Sequence, residues 1–537
     1  MNDPLNHSTS SKHTVDFLVL GGGSSGCSLV ARLAADTAWN IGLVEAGGKD
    51  SSPAMKVPFG GLFTVPTPHL NWRYETVPQP ELRGRRGYQP RGKVLGGSSA
   101  INAMIYSRGQ IDDYAEWAAA AGSDWAWDSV LPVFKQLEDN SRGANEWHGS
   151  GGMLGVSDLR DPQEVSQHFV RQAVASGYPA NDDFNGPTQM GVGLYQVTQR
   201  NGERCHAATF LHDIPESRLN LLTRTYVDRL LWDGQRVVGA RLVRRGKAFD
   251  VMARHGVAVC LGALATPALL QRSGFGPGAW LQQAGVVVER DLPNVGRGLR
   301  DHLDASLVWR VKRGETLGVA PSVAARVTAG VWPYLRRRRG VLTTNFAEAG
   351  GFFSINGEER PDAQWHLVAG PLLNHARRWR WGKGISCHVC LLRPESRGEV
   401  RLANKDPKAM PLIDPGFLTA PSDLSGMIKA VQHTLPLFSA ENWPDYGISP
   451  MNLPRSDKSE DIEDWLRDNA DTIYHPVSSC AMGMSADSPV DPQLRLRDVP
   501  GVWVADASVF PTIPSGNTNA IAMMVGWRAG GWIAQAV

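Results

Sequence analysis

Three glycines and one carboxylate near the start of the chain have the types and spacing to hold a nucleotide. In Gly21-Gly22-Gly23-Ser24-Ser25-Gly26, Gly21 suits a tight turn and Gly23 lets main chain approach a pyrophosphate. Gly26 lets a helix pack closely on a strand. Ser24 and Ser25 lie in the same turn, and the helix that follows offers its first N–H groups and positive dipole end to phosphates. Glu45 lies about two dozen positions beyond Gly21, where a carboxylate accepts from ribose hydroxyls and disfavours a ribose 2′-phosphate. The chemistry is that of FAD or NAD rather than NADP, and the fingerprint alone does not choose between those two.

The elements that would present these groups are readable on either side. Residues 15–20 form a short apolar run with a β-branched bias, the pattern of a buried parallel strand. Residues 28–34 read as a helix, and residues 41–44 as a second strand that ends at Glu45. Residues 91–104 (RGKVLGGSSAINAM) form a basic, Gly/Ser-rich loop that leads into an expected apolar helix, with enough small residues for close main-chain approach to a ligand. A further strand, turn and helix is expected over residues 257–277, and two more motifs occupy residues 292–303 (LPNVGRGLRDHL) and 502–520.

Composition narrows the field. The 537 residues correspond to about three domain-sized units, or two with insertions. Lys and Arg number 55 against 53 Asp and Glu, a net charge of +2, which argues against a dedicated nucleic-acid binder. Six cysteines, including Cys387 and Cys390 around His388, match neither a disulfide framework nor a structural zinc site. The expectation is reduced thiols, no metal and a cytoplasmic protein. The start of the chain lacks the apolar core of a secretory signal, and the apolar run at 257–270 is too short to span a bilayer. No internal repeat or long linker is visible.

Taken together, the motifs at 16–45, 91–104, 262–277, 292–303 and 502–520 resemble the glucose–methanol–choline (GMC) family of FAD oxidoreductases over nearly the whole chain. The resemblance implies an α/β fold: a Rossmann-like FAD-binding domain and a discontinuous substrate-binding domain built on an antiparallel sheet with helices. The expected boundaries are 1–160, 200–310 and 475–537 for the first domain, and 161–199 and 311–474 for the second. Within the second, residues 384–392 and 398–402 read as strands from their apolar and β-branched content.

By the same resemblance, Gly21, Gly23, Gly26 and Glu45 hold the ADP part of FAD. Gly97, Ser98, Asn102 and Ala103 lie near flavin and pyrophosphate, Val227 meets the adenine through its backbone, and Asp506 and Thr518 reach the ribityl chain and ring. Where some relatives carry a histidine bonded covalently to flavin, this chain has Ile101, so the FAD is expected to be non-covalent.

Oxidising an alcohol by hydride transfer to flavin N5 leaves a hydroxyl proton to be removed, and histidine is the side chain poised near neutrality to take it. Most of the 14 histidines would by type alone be structural. The segment Thr472-Ile473-Tyr474-His475-Pro476-Val477 resembles the family's catalytic segment, with His475 as base, Ile473 and Tyr474 as candidate substrate contacts, and Asn517 as the partner that hydrogen-bonds the substrate oxygen. His366 and Glu348 are further candidates for the substrate pocket. An acid at the position of Glu348 occurs in choline-acting relatives and also in others whose substrates carry no charge.

Within the family the chain looks most like bacterial alcohol dehydrogenases of alkane oxidation, with choline dehydrogenases next. The implied activity is oxidation of a primary alcohol to the aldehyde with transfer to a quinone or other acceptor. Its alternatives are an O2-using oxidase, oxidation of choline, aryl or furanic alcohols, and, in another class, a flavin-containing lyase or a silent flavoprotein. One departure is Cys205-His206-Ala207-Ala208, where relatives often carry serine before the alanines. Trp332 to Arg339 and Arg377 to Trp381 interleave aromatic rings with arginines, a composition suited to peripheral contact with the inner membrane.

Overall fold

The computed structural model describes residues 13–378 and 380–537, so the polar start of the chain and Trp379 lie outside the described residues. Two large sheets organise them. In the first, the strands Leu219–Leu222, Ile41–Val44, His13–Leu20 and the second half of Lys247–Val259 run parallel in that order, and Val502–Val504 pairs in parallel beyond them. The first half of Lys247–Val259 turns into an antiparallel meander with Val237–Arg244 and Thr225–Trp232. Phe17, Leu18, Val19, Leu20, Ile41 and Leu43 are all fully buried. That is why the run shows no polar alternation: a parallel sheet covered on both faces needs none.

From the central strand His13–Leu20 the chain winds outward in both directions. A topological switch point therefore opens at its carboxyl end, where Gly21 begins the turn. The helix Ser24–Asp36 follows at once and packs on the C-terminal helix Asn519–Ala536. Their axes come close because Gly526 carries no side chain; a Cβ there would stand 2.2 Å from the Ser25 carbonyl oxygen.

The second sheet is antiparallel. Its main path runs Ile448–Asn452, Leu303–Val311, Gly382–Leu391, Ala363–Val368, Ala347–Phe353, Gly191–Leu194, with Gly318–Val319 and Asp471–Thr472 as short additions. Period-two alternation sorts its side chains. Trp365, Leu367, Cys387 and Val389 share one core with the helices Glu164–Ala175, Pro421–Thr434 and Ser459–Asn469. The intervening His366 and His388, opposed in register, line a cavity on the other face.

Three sequence expectations change. Leu303–Val311 belongs to the second sheet, so the change of layer comes before residue 310. Gly398–Arg401 is a strand, but in a separate three-stranded sheet with Arg297–Leu299 and Leu412–Asp414. The expected apolar helix after the Gly/Ser loop is only the 3-10 turn Gly97–Ala100; the next α-helix begins at Ile111, and Met104 at φ 61° stands in the left-handed region between them. All six cysteines are buried free thiols. Among the described residues no helix is long and apolar enough to cross a membrane.

Candidate active site

A cavity of about 760 Å³ is lined by residues of both sheets and of the loops that follow their strands. At one end it meets the glycine turn. Gly21, Gly23, Ser24, Ser25 and Glu45 line it there, together with Val227 and Lys93. The helix Ser24–Asp36 has Gly23 at its N-cap and no side-chain cap, so its first N–H groups are offered to the cavity. Gly26 does not line the cavity. A Cβ at that position would lie 1.9 Å from the Gly21 carbonyl oxygen, so its absence allows the helix to seat against the turn. Glu45 accepts from the Gly22 N–H at 3.2 Å and the Gly47 N–H at 2.7 Å. Burial nonetheless pushes its carboxyl up to about 7. The N-terminus of the C-terminal helix, with Thr518 as its cap, opens on the same space, and the Ser24 hydroxyl donates to Asn519 Oδ1 at 2.8 Å.

The Gly/Ser loop forms the opposite wall. Gly97, Ser98, Asn102 and Ala103 all line the cavity. Gly97 has φ 55°, and a Cβ on it would approach Gly23 Cα to 2.7 Å, so the two loops touch through glycine alone. The Ser98 hydroxyl accepts from the Gly92 N–H, and Asn102 Oδ1 accepts from Met104 N–H and Arg204 Nη1. Asp506 reaches the wall with its carboxylate engaged: Oδ2 accepts from the Gly262 N–H and Thr266 hydroxyl, and Oδ1 from the Ser508 N–H. Ile101 lines the cavity as well.

Beyond this wall lies the histidine end. The segment carrying His475 runs antiparallel beside residues 300–302. The Ile473 N–H donates to the His302 carbonyl at 3.1 Å, and Arg300 and Val477 exchange two backbone bonds. Tyr474 at φ 76° makes the excursion that turns His475 inward. The Asp301 carboxylate holds the excursion from beneath, accepting from the His475 backbone N–H at 2.9 Å, the Thr472 hydroxyl at 2.6 Å and Gln89 Nε2 at 2.8 Å. His475 Nδ1 lies 2.9 Å from His302 Nδ1, and its Nε2 lies 3.2 Å from Asn517 Nδ2. Asn517 accepts from Gln364 Nε2 at 3.3 Å, which turns its amide NH2 toward His475 and toward His366 Nε2 at 3.5 Å.

Burial, reinforced by His302, His366 and Arg91, holds His475 well below the ordinary imidazole value. Burial likewise lowers His366 to about 3 and His302 to about 4. The cluster is therefore neutral at physiological pH and can accept protons rather than supply them.

The structure brings His475, Asn517, His366, Ile473 and Tyr474 together around one cavity. Glu348 is not among them. Ala347 faces the cavity, and a break in strand register between Ala347 and Ala349 turns both Glu348 and Ala349 to the opposite side. There Glu348 is fully buried, accepting from the Gln163 N–H, the Ser166 hydroxyl and the Thr344 hydroxyl at 2.7, 2.8 and 2.6 Å. It anchors the start of the helix Glu164–Ala175 through Gln163 and Ser166 and does not line the cavity, which corrects the expectation of a substrate contact. Conversely, several residues at the wall or behind it carry no isolated signal in the sequence. The Asp301-His302 pair, which backs the His475 segment without lining the cavity, sits in the motif at 292–303, to which the sequence alone gives no role. Arg91 lines the cavity with Nε and Nη2 buried and unpartnered among the described residues. Tyr474 donates to His375 Nδ1 at 2.6 Å, and His375 Nε2 donates to Asp471 at 2.7 Å.

These features fit a long, planar, anionic group. Two helix N-termini and an uncommitted guanidinium face space that two apposed glycine loops leave open. Among the described residues no cluster could hold a metal ion.

A family model for GMC oxidoreductases matches residues 15–304, and its C-terminal counterpart matches residues 394–526. An alcohol dehydrogenase (acceptor) from Pseudomonas putida is 39% identical over 523 residues, covering 96% of this chain and 94% of that one. Oxygen-dependent choline dehydrogenase 1 from Chromohalobacter salexigens is 34% identical, covering 95% of this chain and 93% of its own length. Among solved structures, pyridoxine 4-oxidase from Mesorbium loti superposes with a TM-score of 0.86 at 28% identity, over 96% of this chain and 98% of that one. A formate oxidase of Aspergillus oryzae reaches a TM-score of 0.90 at 23% identity over 98% and 99%, a likeness of fold alone.

Proposed function

The chain belongs to the GMC oxidoreductase family, whose cofactor is FAD, and from that premise we propose that it oxidises a primary alcohol to the aldehyde and passes the electrons to a quinone or another acceptor. The observation that carries the reading is the neutral His475–Asn517 pair at one end of a cavity whose other end has the nucleotide fingerprint. FAD, when bound, supplies the acceptor for the hydride that leaves the carbinol carbon. Gly21, Gly23, Ser24, Ser25, Glu45, Gly97, Ser98, Asn102, Ala103, Val227, Asp506 and Thr518 are the residues proposed to hold it, with Gly26 seating the helix. Ile101 offers no atom for a covalent link, so the binding is proposed to be dissociable.

In this scheme His475 Nε2 takes the hydroxyl proton, and the Asn517 NH2 donates to the substrate oxygen as negative charge grows on it. Ile473, Tyr474 and His366 shape the wall. Phe59, Leu317, Val323, Phe346, Val368 and Leu372 make much of the remaining lining apolar, which suits an aliphatic chain. The carboxylates lining the cavity, among the described residues, are Glu45 and Asp506, both already hydrogen-bonded. No carboxylate stands free there to meet a cation such as choline. The proposed division of labour assigns the parallel-sheet body to FAD and the antiparallel-sheet body to substrate.

The protein is proposed to work in the cytoplasm, docked on the inner membrane. The helix Pro321–Arg337 starts at the cavity wall with Val323 and exposes Trp332 and Leu335 beside Arg336 and Arg337. Exposed Trp381 bridges to Val319, which also lines the cavity. An apolar, basic rim at the mouth matches an anionic bilayer and would admit lipid-dissolved alcohols and quinones. Cosedimentation with anionic vesicles that is lost on Trp332→Ala plus Leu335→Ala supports this; equal partitioning of both proteins removes it.

The function is tested by mixing the purified flavoprotein anaerobically with alcohols and following the flavin absorbance. Bleaching by aliphatic primary alcohols, with faster recovery by a quinone analogue than by air, is the expected result. Bleaching by choline or benzylic alcohols alone would overturn the substrate class, and no bleaching by any alcohol would overturn the activity.

A further inference from the structure

We propose that His302 is a positioning residue that holds the proton of His475 on Nδ1 and so leaves Nε2 open toward the substrate. The inference rests on the reading of His475 as base and adds how that base comes to be in the right tautomer.

Donors and acceptors alternate along a single chain of contacts from Leu392 to Asn517. His302 Nε2 lies 3.0 Å from the Leu392 carbonyl oxygen, which can only accept; Nε2 of His302 therefore carries a proton. His302 is fully buried on the sheet strand's approach, and burial keeps its ring neutral. Its Nδ1 is then a lone pair, 2.9 Å from His475 Nδ1. Two lone pairs do not face each other at that distance, so His475 Nδ1 bears the hydrogen and donates it. A neutral His475 with its proton on Nδ1 has a bare Nε2, and the Asn517 NH2 is the donor that faces it. One assignment satisfies every atom from Leu392 to Asn517.

Orientation is thus achieved without adding a charge. A carboxylate in the place of His302 would raise the basicity of His475 and favour a resting imidazolium. A neutral imidazole fixes the tautomer yet leaves His475 low and unprotonated. The charged and titratable groups that face the ring are His302, His366 and Arg91, all of which oppose a second proton; Asp301 engages its backbone N–H. When Nε2 takes the substrate proton, the Nδ1–H is still donated to His302, and the bond becomes charge-assisted. The backbone at 300–302 also lies alongside the segment that carries His475, so ring and main chain are located by the same short stretch.

The test uses the FAD-loaded enzyme labelled with 15N-histidine. In the wild type at neutral pH, His475 Nε2 is expected to report as unprotonated and Nδ1 as protonated; the reverse assignment would overturn the proposal. His302→Leu removes the acceptor and should mix the two tautomers while slowing flavin reduction on the order of 10²-fold. His302→Asn, whose carboxamide oxygen can accept from Nδ1, should restore the rate to within about tenfold and recover the wild-type ring signals. A purely structural role would give neither the rescue nor the ring shift. Reduction at the wild-type rate in a fully FAD-loaded His302→Leu enzyme would overturn the inference alone, provided that His475→Ala is slow. If His475→Ala is also fast, the base assignment itself falls. Should His302→Leu fail to fold, the wild-type ring signals and the His302→Asn rate decide.

Discussion

The two ends of the cavity are built from different materials. At the nucleotide end most of the surface is main chain: glycine turns, two helix N-termini and a Glu45 carboxylate pinned by backbone N–H groups. At the histidine end the surface is side chains, each oriented by the next, from Leu392 through His302, His475 and Asn517 to Gln364. Backbone sites recognise what dinucleotides share, their phosphates. Side-chain sites set protonation state and the direction of a lone pair. The first tolerates little change of size, the second little change of hydrogen-bond capacity.

Substitutions at each end should therefore fail differently. Gly97→Val sits at the contact of the two glycine loops, where even a Cβ approaches Gly23 Cα to 2.7 Å at a φ of 55°. The expected outcome is loss of bound FAD altogether, read from the flavin absorbance of the purified protein. Normal flavin content would show that the loops do not need to touch. At the other end, Asn517→Ala keeps FAD and should slow flavin reduction by about 10²-fold, as removal of a donor to a developing oxyanion does. Loss of flavin instead would place Asn517 with the nucleotide end.

The pH response is a milder probe. In the proposed mechanism His475 acts as a base when unprotonated, and burial holds its value well below the usual imidazole range. The flavin-reduction rate should then change by less than about threefold between about pH 8 and about pH 6, falling only in stronger acid. A tenfold drop over that interval would mean that the ring titrates as an exposed histidine does. Smallest of all should be the effect of Glu348→Gln on substrate preference. The carboxylate faces the helix Glu164–Ala175, so relative rates among alcohols should not move, while thermal stability drops by about 1–3 kcal/mol for the donors left mismatched. A changed preference would return Glu348 to the pocket.

The same contrast explains what was legible in the sequence. Residues 13–45 are one contiguous strand–turn–helix–strand unit, and its chemistry follows from local spacing. His475 and Asn517 could be named through family resemblance, because a motif surrounds each. Nothing local says that His302 meets His475, since 173 positions separate them and the contact depends on the antiparallel pairing of two loops. The facing of Glu348 is hidden for a related reason. The strand's register breaks between Ala347 and Ala349, and which side holds the cavity is decided by the packing of helices from elsewhere in the chain. The Gly/Ser loop reads as entering a helix because Ala100, Ile101, Ala103 and Met104 are apolar. Ala100 and Ile101 instead join a small satellite core, and Ile101, Ala103 and Met104 line the cavity.

The most direct test of the account is rapid anaerobic mixing of His475→Ala with a primary aliphatic alcohol, next to the wild type at equal flavin content. The account predicts an unchanged flavin spectrum before mixing and reduction slowed by about 10²–10⁴-fold after it. Reduction at the wild-type rate would contradict it, and would leave the histidine end without its base.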